Sequence, residues 1–294
     1  MEFRELKSED IDKYKEILTG YETNSEASFA NMYAWRNVMN TKICFEDNNC
    51  FFIYIKRNGE DACCFPKGDN SVYAIEKLIS YFKSINKPMI MESVTEEEVN
   101  IITSNFKNIT VKEDIDLFDY VYCGEKLRTL SGKKLHSKRN HINKFKTLYP
   151  DYKYVSLDKN NIDLCLEYSK KWLLNKYHDT NSSDYLNEYS SINEFLNNFD
   201  KFQLSGGIIL IDNEIQAFTI GEKLNTNTCV IHVEKANTEF EGIYPAINNF
   251  YLNDKWRDIE FVNREEDMGI EGIRKAKKSY YPDKMIKKYT IRFN

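Results

Sequence analysis

Residues 206–236, GGIILIDNEIQAFTIGEKLNTNTCVIHVEKA, decide the fold. Apolar stretches at 206–211, 215–223 and 228–235 are separated by Asp212-Asn213 and by Asn225-Thr226-Asn227, residue types that accept tight-turn geometry. The pattern predicts three antiparallel strands in a meander. Along the third strand a period of two places His232, Glu234 and Ala236 on one face and Val233 and Lys235 on the other.

Downstream, the spacing predicts a helix over 243–255, a strand over 259–262, a helix over 270–280 and a last strand near 285–292. Between the strand at 259–262 and the next helix lies a loop that packs Asn263, Arg264, Glu265, Glu266 and Asp267 together before Gly269. Strand, charged loop and helix in that order put polar groups at a strand's carboxyl end, where α/β folds keep much of their chemistry. Upstream, apolar residues three to four apart predict helices over 133–148, with Leu135, Ile142, Phe145 and Tyr149 on the buried side, and over 160–177 and 184–199.

The first half reads in the same way. A strand at 2–6 leads to a helix over 10–19 capped by Ser8 and stopped by Gly20, then to a helix over 26–39. A second meander follows at 41–46, 50–57 and 61–65, around the turns Asp47-Asn48-Asn49 and Asn58-Gly59. After it come a helix at 72–85, a strand at 88–91, a helix at 95–106 and strands at 109–113 and 118–122. Each half thus carries a meander followed by helix, strand, helix and strand. With 294 residues to divide, the expected class is α+β, with two tandem domains, 1–125 and 126–294, each a mixed sheet flanked by helices. A meander that runs into a helix whose N-terminus meets a ligand is the layout of the GNAT acyltransferase fold.

Composition narrows the classes. At 41% hydrophobic the chain has material for a core, and it contains no run of about 18 apolar residues, so no spanning helix is expected. The charged start MEFRELKSED argues against a signal peptide and for a cytoplasmic location. Seven scattered cysteines without a CxxC pair, and four histidines without partners at ligand spacing, predict reduced thiols and no metal. Neither GxxxxGK nor GxSxG occurs, which disfavours kinase and hydrolase chemistry. The formal net charge is −5, yet between Glu125 and Asp151 there is no acid and there are eight Lys and Arg residues, so positive charge is concentrated in one segment.

Three stretches carry a family resemblance: GKKLHSKRNHINKF (132–145), HVEKANTEFEGIYPAINNF (232–250) and NREEDMGIEGIRKAKKSYYP (263–282). Together they resemble soluble bacterial proteins related to the catalytic C-terminal domain of phosphatidylglycerol lysyltransferase. The resemblance covers essentially the whole chain. It implies a double GNAT fold related to the Fem-type ligases, which move an amino acid from aminoacyl-tRNA, and therefore an acyltransferase needing no further cofactor when charged tRNA is the donor. The membrane-embedded half of the full lysyltransferases has no counterpart in this sequence, which leaves a small-molecule or a lipid acceptor open.

In a GNAT fold the helix after the meander holds a CoA pyrophosphate at its N-terminus, usually with Q/R-x-x-G-x-G/A. Here that place reads Glu239-Phe240-Glu241-Gly242-Ile243-Tyr244, with one glycine and two acids, so acyl-CoA is the alternative donor rather than the first choice. His232 and Glu234 are the candidate proton acceptors, with a satisfied pair inside the sheet as the plain alternative. Candidate substrate-binding residues are Asn237, Gly242 (through a backbone N–H to an oxyanion), Tyr244, Asn263, Arg264, Glu266, Asp267, Arg274, Lys277 and Tyr280. Glu266 and Asp267 suit the ammonium of an aminoacyl group and Arg264 a carboxylate or phosphate, unless the loop is a solvated charged turn. Lys133, Lys134, Lys138 and Arg139 are candidates for nucleic-acid or phosphate contact. A non-catalytic module that binds RNA or an anionic membrane surface is the reading from another class.

Overall fold

The computed structural model describes residues 1–18, 24–46, 49–57 and 59–294. Gly20 and the turn residues Asp47, Asn48 and Asn58 lie outside the described residues. The chain forms two compact units. One comprises Met1–Asp119, Glu266–Ile270 and Met285–Asn294; the other comprises Tyr120–Glu265 and Glu271–Lys284. The expected single cut after residue 125 is thus replaced by a division after Asp119, with two later segments counted in the first unit.

The first unit begins with β1 (Arg4–Glu5), α1 (Ile11–Ile17) and α2 (Phe29–Ala34). The meander β2 (Lys42–Glu46), β3 (Cys50–Arg57) and β4 (Glu60–Cys63) follows as predicted, with a short β5 (Lys67–Gly68) paired to β3. Then come α3 (Ser71–Ser84), β6 (Met89–Thr95), α4 (Glu96–Asn105) and β7 (Ile109–Glu113). Asn70 caps α3, and Thr95 with Glu98 forms a capping box on α4, so both helices start where a side chain satisfies free N–H groups. The apolar faces of α3 and α4 pack Ile75, Leu78, Phe82 and Ile102 against Phe52 and Met91 of the sheet. The last strand of the chain, β15 (Lys288–Phe293), lies between β6 and β7, giving the order β1-β2-β3-β4-β6-β15-β7.

β15 brings a cation into this unit. The fully buried Lys288 Nζ lies 2.6 Å from Asp119 Oδ1 and 2.5 Å from Glu26 Oε2, and donates to Ser25 Oγ at 3.2 Å. Burial opposes its charge, but attraction from Asp119 and Glu26 outweighs burial and raises its pKa.

The second unit contains β8 (Asp119–Cys123) from Tyr120 onward, α5 (Gly124–Thr129), α6 (His136–Leu148), β9 (Lys153–Ser156), α7 (Ile162–Tyr177) and α8 (Ser183–Asn197). The second meander, β10 (Ser205–Ile211), β11 (Glu214–Lys223) and β12 (Thr228–Ala236), is followed by α9 (Ile243–Lys255), β13 (Phe261–Asn263), α10 (Glu271–Lys278) and β14 (Lys284–Ile286). The sheet order is β14-β8-β13-β12-β11-β10-β9. α9 closes one face, burying Ile243, Ala246 and Ile247 against Phe145, Ile209, Ala217 and Ala236.

Two strands differ from the sequence reading. Residues 118–122 were expected to close the first half, but β8 pairs with β13 in the second sheet. The terminal strand expected near 285–292 is split in two: β14 stays at the edge of the second sheet beside β8, whereas β15 joins the first sheet. An alternating pattern specifies a strand and its buried face, while the choice of neighbour comes from contacts far away in sequence.

Candidate functional site

The site lies where two neighbouring strands of the second sheet part. β12 and β13 run parallel and pair only over Thr228–Val230 and Phe261–Asn263. Beyond that point β12 continues to Ala236, whereas the chain after β13 turns away at Arg264 and Glu265. A β-bulge on β12, opposite Ile220 and Gly221, sits at the same level and displaces His232 from the regular ladder. The turn is held by four hydrogen bonds. Glu265 has φ 58°, and its N–H donates to Asn263 Oδ1 at 2.8 Å. Lys277 Nζ donates to the carbonyls of Arg264 at 2.6 Å and Glu265 at 3.0 Å. The Glu265 carbonyl also accepts from Tyr120 N at 3.2 Å.

His232 is the centre of a buried charge group. Its side chain is 1% exposed, with Nδ1 2.7 Å from Glu265 Oε1 and Nε2 3.1 Å from Glu222 Oε1. The ring stacks on Phe195 at 4.9 Å between centroids. Burial lowers the imidazole pKa, but the hydrogen bonds to Glu222 and Glu265 outweigh it and carry the value to about 9. At neutral pH both ring nitrogens therefore donate to carboxylates. The expectation that His232 accepts a proton does not fit this environment: the group is charged, enclosed and fully hydrogen-bonded. It holds Glu265, and with it the turn that carries Arg264.

Glu234 is also engaged. Its Oε1 accepts from Arg264 Nη2 at 2.9 Å and its Oε2 from Asn248 Nδ2 at 2.9 Å. It orients Arg264 and is not a free base. The Arg264 guanidinium lies 4.9 Å from the Tyr280 ring and 5.8 Å from the Tyr122 ring. Its buried Nη1 makes no well-formed hydrogen bond among the described residues. Lys138, half-buried on α6, places Nζ 4.1 Å from the same Tyr280 ring. Burial lowers its pKa, Arg264 lowers it further, and Glu234 only partly compensates, leaving about 8. Arg264, Lys138 and Glu234, enclosed by Tyr122 and Tyr280, thus form a polar group with more cationic than anionic sites.

The start of α9 is occupied by protein. Gly242 has φ 84°, and a Cβ placed there would lie 2.2 Å from the His141 carbonyl oxygen of α6. Glu241 N donates to Tyr149 Oη at 3.2 Å, and the Glu241 carboxylate pairs with Lys144 at 2.7 Å. The glycine serves the close approach of α6 to α9, and α6 covers the position where a pyrophosphate would meet the helix in a CoA-binding fold. The expected oxyanion role of Gly242 does not fit this packing.

Other expected residues have structural work. Asn237 donates from Nδ2 to Gln216 Oε1 at 3.2 Å and from its backbone N–H to the Gln216 carbonyl at 2.8 Å, closing the end of β12. Arg139 Nη1 donates to the carbonyls of Leu130 and Gly132, clasping the loop before α6 instead of facing nucleic acid. Asp267 is 1% exposed, and its Oδ1 accepts from Gly269 N at 2.9 Å; it and Glu266, whose charge acts on Lys288, count with the first unit. Asp267 lacks the open setting that a ligand ammonium needs, whereas Glu266 is half-buried. Tyr244 lies beside Trp172 at the end of β12, where burial raises its pKa to about 12. Arg274 is half-buried on α10, and Lys133 and Lys134 are exposed before α6. Among the described residues no group of His, Cys, Asp and Glu is arranged to hold a metal ion, and no helix is long and apolar enough to cross a membrane. Sequence reasoning missed Glu222, Glu265, Asn248 and Tyr122. Glu222 carried a signal, as a lone acid in the apolar run AFTIGEK, where burial requires a partner.

Comparison with known proteins agrees with this architecture. The family described as phosphatidylglycerol lysyltransferase, C-terminal, matches residues 20–292. A conserved protein of unknown function from Bacteroides thetaiotaomicron superposes with a TM-score of 0.93 at 31% identity, over 99% of both chains. The C-terminal domain of a putative lysylphosphatidylglycerol synthetase from Agrobacterium fabrum gives 0.69 at 11% identity, covering 98% of this chain and 92% of that one. A tandem GNAT protein from the clavulanic acid biosynthesis pathway gives 0.55 at 8% identity, over 100% and 98% of the chains, a likeness of fold alone. A curated relative, an uncharacterized protein of Mycoplasmoides gallisepticum, is 27% identical over 175 residues, 59% of this chain; the match spans 56% of that protein's length.

Proposed function

From the premise that the chain belongs to the phosphatidylglycerol lysyltransferase C-terminal family, with its acyltransferase-like fold, we propose that it transfers an aminoacyl group from charged tRNA to an amine or hydroxyl of an acceptor. The observation that carries this reading is the Arg264–Lys138–Tyr280 group at the parting of β12 and β13. The Arg264 cation beside aromatic rings suits the phosphates and bases of an RNA acceptor end. Arg264 would donate from Nη1, which is buried and makes no well-formed hydrogen bond among the described residues, to a phosphate or to the ester carbonyl as charge develops on it. The covered start of α9 favours this donor over acyl-CoA.

In this mechanism donor and acceptor meet in one complex, and the acceptor attacks the ester carbonyl directly without a covalent enzyme intermediate. Glu234 and Asn248 fix Arg264 on one side. His232, between Glu222 and Glu265, fixes the turn on the other. The lipid named in the lysylphosphatidylglycerol synthetase relatives is one candidate acceptor class, and a small soluble amine or alcohol is the other.

Filter binding of charged against uncharged tRNA, together with thermal-shift measurements on CoA thioesters, tests the donor. The reading expects preferential retention of charged tRNA and no shift with CoA compounds. A shift with CoA thioesters alone would overturn it, and RNA binding that ignores charging, without any transfer product, would identify a non-catalytic module.

A further inference from the structure

The mechanism above leaves one chemical task without a residue. An attacking neutral amine or hydroxyl must lose a proton as it bonds to the carbonyl carbon, and the two groups on β12 best placed by sequence are both committed. His232 is held between Glu222 and Glu265, and Glu234 between Arg264 and Asn248. We propose that Lys138, as its neutral amine, is the proton acceptor of the transfer, an inference that rests on the transferase reading.

The geometry is specific to this lysine. Lys138 falls on the inner stripe of α6 with Leu135, Ile142 and Phe145, at spacings of three, four and three residues, and those three neighbours are buried. Its amine therefore points inward beside Tyr280, whereas Lys133 and Lys134 are exposed. Among the described residues no carboxylate lies within ion-pair distance of its Nζ. Lys144, further along α6, shows the contrast, because it pairs with Glu241 at 2.7 Å.

The groups facing Lys138 account for its chemistry. Partial burial disfavours the ammonium, the Arg264 cation disfavours it further, and Glu234, already shared by Arg264 and Asn248, restores only part; the Tyr280 ring adds contact without a proton site of comparable pKa. A lysine brought to about 8 is neutral in a useful fraction at physiological pH, which an ordinary lysine near 10.4 is not.

The step balances without a co-reactant. The acceptor's lone pair forms a bond to the ester carbonyl carbon, and its proton passes to Lys138 Nζ. Collapse of the tetrahedral intermediate breaks the carbon–oxygen bond to the ribose. The Lys138 ammonium returns the proton to the departing oxygen, regenerating the amine.

Two measurements test the role. Reductive 13C-methylation of the full chain, with the Lys138 resonance assigned by its loss in Lys138→Gln, gives the titration directly by NMR. The proposal expects a midpoint near 8, and a midpoint in the ordinary lysine range overturns it whatever the protein transfers. The second measurement is the pH profile of transfer from charged tRNA by wild type, Lys138→Gln and Lys138→Arg. Both variants should lose about 100-fold in rate together with the alkaline-rising limb. Full activity in Lys138→Arg, which keeps charge and length but has no accessible neutral form, overturns the inference while leaving the transferase reading intact. Absence of transfer by wild type with every acceptor fraction brings down both, and is distinguished by that from failure of Lys138 alone.

Discussion

At the residue scale the site depends on side chains that never need to touch a ligand. His232 illustrates the physics. Its folded pKa of about 9 lies above the unfolded value of about 6.5, so the stabilisation it contributes is fully present below pH 6.5 and is lost as pH rises through 9. The difference in urea stability between wild type and His232→Gln should therefore be large at pH 6, on the order of 3 kcal/mol, and shrink by pH 10. A pH-independent difference would mean that His232 is not held as an imidazolium. Arg264 gives a complementary case, because Glu234→Gln should weaken its orientation at modest cost in stability. The expected result is transfer reduced by about tenfold or more, with a thermal midpoint within a few degrees of wild type, both measured on the same preparation.

At the scale of elements, much was legible and the exceptions have causes. The two meanders, α3, α9 and β7 appear where the residue spacing puts them, because their apolar periods are uninterrupted and turn or cap residues bound them. Helix α6 was legible as a helix, but its function was not. Lys138 falls on the apolar stripe by spacing, yet in sequence it is one of eight positive charges in a run, and charge runs usually face solvent. Arg139, its neighbour, turned out to be a clasp on two carbonyls, a role that no charge count reveals. Gly242 was read against a CoA-binding motif, whereas its requirement comes from the α6 backbone 94 and more residues earlier in the chain. Gly242→Ala should then cost about 2 kcal/mol or more, from the left-handed φ and the blocked approach to His141. Thermal unfolding checks this, and an unchanged midpoint would show that α6 is not seated on α9 as described.

At the scale of the whole molecule, the chain does not divide into two consecutive domains. The strand that ends the sequence lies inside the first sheet and carries Lys288 to Asp119 and Glu26, a pairing of residues that no local pattern could announce. Lys288→Met should destabilise the first unit by about 4 kcal/mol, because it leaves two carboxylates without their buried cation. Limited proteolysis is the check: cleavage within residues 1–119 should accelerate while the second unit persists, and uniform resistance would contradict the role given to β15. The family places this architecture among acyltransferase-like proteins, and the geometry at the parting of β12 and β13 is what the proposed donor is argued from. The most direct test follows label itself. Bulk tRNA charged with radiolabelled amino acids is incubated with the protein and with separate lipid and small-metabolite fractions of a bacterial extract, and acetyl-CoA with labelled acetyl serves as the competing donor. The account predicts that label leaves tRNA for a product in one of the fractions, that Arg264→Met abolishes this, and that acetyl-CoA gives no product; label moving from acetyl-CoA while charged tRNA remains intact would contradict it.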